Sequence, residues 1–296
     1  MGIDSCGTIH LSAQEADLPR GFVTGISQGG DANVDDNDDY NSNGGRGGHG
    51  RDVVVRIHDQ ANHQFQADAI SRNFEGVVAQ SGGGVGGEQN SSVFGNQKGG
   101  RGGDGGRVRM DNAGSILIGK QALIRASADF VAGIHAWSFG GRGGSNNGDS
   151  GNAGEVEVYH SGIPSAHGGA VVATSRGGDG GGIVGDATAH ALAPLAPTEP
   201  GMSAAPGGGD GNALALLLNG LILTEGDGAY GVLAQSIGGG GDLSGSAGQL
   251  GAGGAQREVG HGGDINVQQN SVIMATGEDA VALFLQSEGS SGNGTV

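Results

Sequence analysis

GDGNALALLLNGLILTEGDGAYGVLAQSIGGGG, residues 209–241, reads as three short strands between glycine blocks. The first strand follows a Gly-rich entry, the second begins near Gly220, and the third ends at Ser236 before four glycines. Apolar spacing at i, i+3 and i+4 is not sustained, although 212–223 taken alone suits helix or strand. The phrase returns as GGDINVQQNSVIMATGEDAVALFLQSEGS at 262–290. Degenerate copies fill 102–141 and 153–178, another ends in EGVVAQSGGG at 75–84, and GTIHLSAQEADLPRGFVTGISQGG at 7–30 is expected to enter half-way through a copy. Self-similarity at a period of tens of residues marks a repeat architecture.

The terminal serines Ser81, Ser138, Ser175, Ser236 and Ser287 lie 57, 37, 61 and 51 residues apart, so the unit is loosely kept at about fifty residues. Three strands and two turns make one coil of a parallel β-helix, with the glycine block as a variable loop. The whole chain, 1–296, is then one all-β solenoid segment of about six repeats. Aligned on the serines, apolar residues fall into columns. Val108, Val156, Leu214 and Ile265 share the first strand; Ile9, Ile116, Ile163, Leu221 and Val272 share the second. The third strand holds Val77, Ile134, Val171, Val232 and Leu283, then two places on Ala79, Ala136, Ala173, Ala234 and Leu285. Period-two spacing sends each pair to one face, and stacking buries like on like. Arg107 and Arg109 flank Val108 where Glu155 and Glu157 flank Val156, so Arg is expected to stack over Glu twice.

A core built this way suits the composition. Aromatic residues make up only 4% of the chain, too few for a conventional enzyme core, while 68 glycines need a regular device to order them. Several blocks have a period of three: GGRGGDGGR at 99–107, GGRGGHG at 44–50 and GGRGG at 140–144. Composition favours flexible loops. The period itself is that of a polyproline-II-type helix and points to a layer of bundled polyglycine helices beside the β-helix. Residues 183–208 read as an inserted Pro/Ala/Gly-rich loop; Pro194, Pro197 and Pro200 also fit a PxxP-type ligand.

The net charge of −17, from 31 acidic and 14 basic residues, disfavours nucleic acid as a partner. Cys6 is the one cysteine, so no internal disulfide forms. No signal peptide or membrane-spanning apolar run is present in these residues.

No catalytic, cofactor or metal residues are assigned. Ser150 sits in a GDSG string like that around a protease nucleophile, but in a Gly/Asn/Ser/Asp tract with no matching His segment upstream. Asp31, Asp35, Asp36, Asp38 and Asp39 could gather oxygens around Ca²⁺, yet an EF-hand reading puts Tyr40 and Arg46 where Gly and Glu belong. The pairs His58/His63 and His160/His167 lack a further ligand at strand or helix spacing, and GxGxxG strings carry no information in so glycine-rich a chain.

GDGAYGVLAQSIGGGG at 226–241 resembles the Gly-rich repeats of bacterial autotransporter passenger domains of type V secretion. The resemblance implies a right-handed β-helix exported to the outer-membrane surface, acting as a stalk or adhesin toward host cells, neighbouring cells or matrix. That family's translocator barrel is not among these residues, and the sequence stops in the glycine block at 292–296, so a fragment is expected. The chief alternative is a carbohydrate-active β-helix enzyme, a polysaccharide lyase or hydrolase, which needs charged side chains converging in a groove. Ice binding is a third reading, without the Thr-x-Thr ladder that would support it.

Overall fold

Strand formation follows the alternating segments. A computed structural model of the chain describes residues 1–13, 23–32, 45–67, 69–70, 74–87, 99–118, 123–124, 131–141, 143, 149–161, 163–176, 209–238, 260–289 and 294–296. Among them every regular element is a strand. In chain order these are β1 (Gly2–Ser5), β2 (Thr8–Ala13), β3 (Val23–Gln28), β4 (Val53–Ile57), β5 (Asn62–Ala67), β6 (Ala69–Ile70), β7 (Phe74–Gly82) and β8 (Val108–Asn112). There follow β9 (Ser115–Ile118), β10 (Leu123–Ile124), β11 (Val131–Phe139), β12 (Val156–His160), β13 (Ile163–Arg176), β14 (Leu214–Ile237), β15 (Ile265–Thr276) and β16 (Val281–Glu288). The fold is all-β, and every described strand pair is parallel. Parallel neighbours cannot be joined by a tight hairpin, so each strand pairs with its counterpart one repeat away.

Three columns result. The first runs β1, β4, β8, β12, the start of β14 and the start of β15. The second links β2, β5, β9, the start of β13, and the middle of β14 with the end of β15. The third runs β3, β7, β11, the end of β13, the end of β14 and β16. Short β6 and β10 pair separately.

Val108, Val156, Leu214 and Ile265 are in register and buried, and Val53 joins them from an earlier repeat. In the third column the register joins Val23, Val77, Ile134, Val171, Val232 and Leu283, and the serines align from Ser27 to Ser287. These residues form one apolar core with Val55, Met110, Val158, Leu216 and Leu218.

Three expectations need correction. Residues 2–5 form β1 and pair with β4, so the opening repeat has its first strand and does not enter half-way. In the second column Ile116 pairs with Pro164, not Ile163, which pairs with Ser115. The inward residues there are Ile116 and Ile222, both buried; Leu221 is half-buried and Val272 is 58% exposed on the other face. A one-residue slip exchanges the faces of a strand, and the sequence alignment slipped by one at this column. Thirdly, the described glycine segments are not loose loops; their backbone groups are bonded laterally, as set out below.

Candidate functional site

The strongest constellation in the chain is the glycine layer and the charged strand face beside it. Between columns three and one the chain leaves and returns through glycine segments. Their N–H groups fall into three sets, one for each position of the three-residue period. Gly102, Gly105 and Val108 donate to the carbonyls of Asp149, Asn152 and Glu155 at 2.8–2.9 Å, just as Gly47, Gly50 and Val53 donate to Arg101, Asp104 and Arg107 at 2.9 Å. The following position bonds across the layer. Gly48 donates to Gly30, Gly84 to Gly48, Gly103 to Gly84, Gly141 to Gly103 and Gly151 to Gly141, all within 2.7–2.9 Å. Outgoing and returning segments thus alternate in one continuous relay.

The third position is satisfied by side chains. Asp104 N–H donates to His49 Nδ1 (2.8 Å), Asn152 N–H to Asp104 Oδ1 (2.9 Å), Asp210 N–H to Asn152 Oδ1 (2.9 Å) and His261 N–H to Asp210 Oδ1 (2.8 Å). One turn later Arg107 N–H reaches Asp52 Oδ1 at 2.9 Å, and Thr295 N–H reaches Asp264 Oδ1 at 2.8 Å. Each of these N–H groups, on the outer side of the layer, is supplied with an acceptor by a short side chain one repeat below.

Glycine is required here by close approach. A Cβ on Gly103 would overlap the Gly48 carbonyl, and one on Gly151 or Gly83 would overlap that of Gly103. Among the described glycines only Gly220 (φ 88°) and Gly277 (φ 144°) take positive φ, and both lie outside the layer.

The aligned serines clasp this layer to the third column. Ser81 Oγ donates to Arg51 O (2.9 Å) and accepts from Gly106 N–H (2.8 Å). Ser138 Oγ donates to Gly106 O (2.9 Å) and accepts from Gly154 N–H (2.8 Å). Ser236 repeats the arrangement between Asn212 and Gly263, and Ser287 between Gly263 and Gly294, each bond 2.8 Å. Each hydroxyl therefore uses both of its bonding roles between successive repeats.

No protein-family model, curated protein or solved structure matches the chain.

Beside the layer, the outer face of column one carries charge. Glu157 pairs in register with Arg109, and its carboxylate is bonded to Arg107, which also lies 3.6 Å from Glu155. Arg109 bonds Asp111 at 2.9 Å and stacks over Tyr159, 4.5 Å from the ring centre; Arg56 bridges Asp111 (3.4 Å) and Asp4 (3.7 Å). Arg over Glu therefore holds as read from the sequence. Hydrogen bonds donated to Glu157 and Asp111 raise the Arg107 and Arg109 guanidinium pKa values further. Burial alone would raise Asp104, but the Arg101 hydrogen bond and the Asn152 N–H hold its carboxyl below the usual range. Every one of these charges is engaged by another, an arrangement that fixes register.

The other candidates are not brought together. Ser150 is buried in the returning glycine segment. Asp31 Oδ1 accepts the Val85 N–H at 2.8 Å. Asp35, Asp36, Asp38 and Asp39, the PxxP prolines and segment 183–208 lie outside the described residues. His58 approaches Asp4 at 3.7 Å, His63 is buried near Ser5 Oγ (3.1 Å), and His160 bonds Asn112 at 3.1 Å. Among the described residues no three His, Cys, Asp or Glu side chains gather as a metal site. Cys6 is exposed and free.

The ladder of acceptor side chains His49, Asp104, Asn152 and Asp210, which ends on the His261 N–H, has no sequence signal, because its acceptors share a place in the repeat and no residue type. The aromatic strip of β11 was also missed: His135 stacks on Trp137 (5.5 Å between centroids) and Trp137 meets Phe139 (4.7 Å). Its signal was the alternation in HAWSF.

Proposed function

We propose that the chain is a right-handed parallel β-helix flanked by polyglycine-II-type strands, a segment of a glycine-rich autotransporter passenger, and that it works as a non-enzymatic stalk or adhesive surface outside the cell. The observation that carries this reading is the retained register of apolar, serine and acceptor side chains across successive repeats. Three-residue helices have no internal hydrogen bonds, so lateral bonds at every third residue are what a bundle of them requires. Polar groups committed to such ladders are not free to converge on a substrate, which separates this reading from the polysaccharide-enzyme alternative.

Antibodies against 209–238 should label intact, unpermeabilised cells of the source organism, and surface-immobilised protein should retain cells or matrix. Labelling only after lysis would refute the surface assignment. Turnover of any acidic or neutral glycan in a screen would replace the stalk reading with the enzymatic one.

A further inference from the structure

The outer faces of β14 and β15 form an uncharged strip with exposed apolar side chains. In β14, Leu214, Leu216, Leu218 and Ile222 point into the core, so Leu217, Leu221 and Leu223 project from the opposite face, where they are half-buried. In β15 Val272 is 58% and Met274 51% exposed, and they pair in register with Leu221 and Leu223. The column of Leu223 and Met274 holds His10, Gln64, Leu117 and Ser165 in the earlier repeats, and that of Leu217 holds Asp4, Arg56, Asp111 and Tyr159, so these positions are polar in the first two repeats and mixed in the next two.

This face also lacks charge. Neither 211–224 nor 265–277 contains Asp, Glu, Lys, Arg or His, in a chain of net charge −17. Two copies repel one another over most of their surface, and least where no charge stands. An exposed apolar patch of this kind marks an interaction site. An anionic membrane is disfavoured as its occupant, because the face offers no Lys or Arg and the chain is acidic. A second copy presents an identical uncharged patch, which a two-fold axis brings face to face. We propose that the outer face of β14 and β15, centred on Leu221, Leu223, Val272 and Met274, is where two copies of this chain associate.

The contact is small. Two strands about 4.8 Å apart and about 11 residues long at about 3.3 Å each present roughly 350 Å² per copy. Roughly 700 Å² in total lies below the stable class, so association is weak and calls for concentrated protein.

Sedimentation of the full chain over about 5–500 µM tests this. The expected mass rises from 28.9 kDa toward twice that value, and more readily at high salt, because salt screens the repulsion. A constant 28.9 kDa throughout would overturn the proposal. Leu223→Glu with Met274→Glu should abolish the rise, whereas Thr24→Glu, on an exposed position of β3, should leave it intact. Association that persists in the double variant assigns the contact to the strand edges instead and likewise overturns it. Should the double variant fold poorly, Met274→Cys in a Cys6→Ser background provides a second measurement. Oxidation should link copies through residue 274, and failure to link at concentrations where mass rises would rule out this face.

Discussion

A glycine in this chain is explained by what stands opposite it. Gly103 faces the Gly48 carbonyl at a separation no Cβ tolerates, while a Cβ on Gly30 meets nothing within 4 Å. Gly103→Ala should therefore displace a neighbouring segment and cost about 2–3 kcal/mol. Gly30→Ala, on an exposed residue with ordinary φ, should stay within about 0.5 kcal/mol. Denaturant midpoints of the two variants compare them directly, and equal effects would mean that the layer is not close-packed. His63 poses a different question. It occupies an otherwise apolar column between Ile9 and Ile116, and burial lowers its pKa below 6.5. The unfolded chain binds a proton near pH 6.5 that the folded chain resists. Its stability contribution is thus complete above the unfolded value and is lost as pH falls through the lowered folded one. His63→Ile should flatten the fall in melting temperature between about pH 7 and pH 5. Parallel pH profiles for the two proteins would show that His63 takes up its proton equally in the folded and unfolded states.

At the scale of the strand, register is set by what each face must avoid. Glu157 is nearly buried (8% side-chain exposure) and Arg107 is half-exposed (48%). Arg107→Met should destabilise more than Glu157→Gln, because it strands a buried carboxylate with only Arg109, 3.9 Å away, to answer it. A double-mutant cycle should give a coupling of about 0.5–1 kcal/mol, reduced by screening in concentrated salt. Zero coupling would leave the pair without a role in alignment. The same physics explains which columns were legible. The first and third strands abut a fixed landmark, the glycine entry or the terminal serine, and their period-two pattern could be read from it. The second strand abuts a corner of variable length, contains Pro164 opposite Ile116, and carries outward Leu221 and Val272, so its alternation pointed to the wrong face. The order of the glycine segments was legible only as a period, since every acceptor they use belongs to another segment.

Over the molecule, pairing among the described strands joins each repeat to the ones before and after it. Stability is then a sum of repeat and nearest-neighbour terms, and damage spreads no further than the neighbours unless the stack unfolds as a unit. Ser138 distinguishes these cases. Its hydroxyl joins Gly106 O to Gly154 N–H, and both of these bonds are lost in Ser138→Ala. A loss of about 1–3 kcal/mol corresponds to roughly tenfold to hundredfold faster local opening. Hydrogen exchange should accelerate by that factor for amides of β8, β11 and β12, and remain unchanged in β15 and β16, two or more repeats away. Uniform acceleration from β1 to β16 would instead identify one cooperative unit. The serine would then act as a determinant of global stability, and the hydroxyls of Ser81, Ser138, Ser236 and Ser287 would have to be treated as a single ladder in which no member can be assigned a separate contribution.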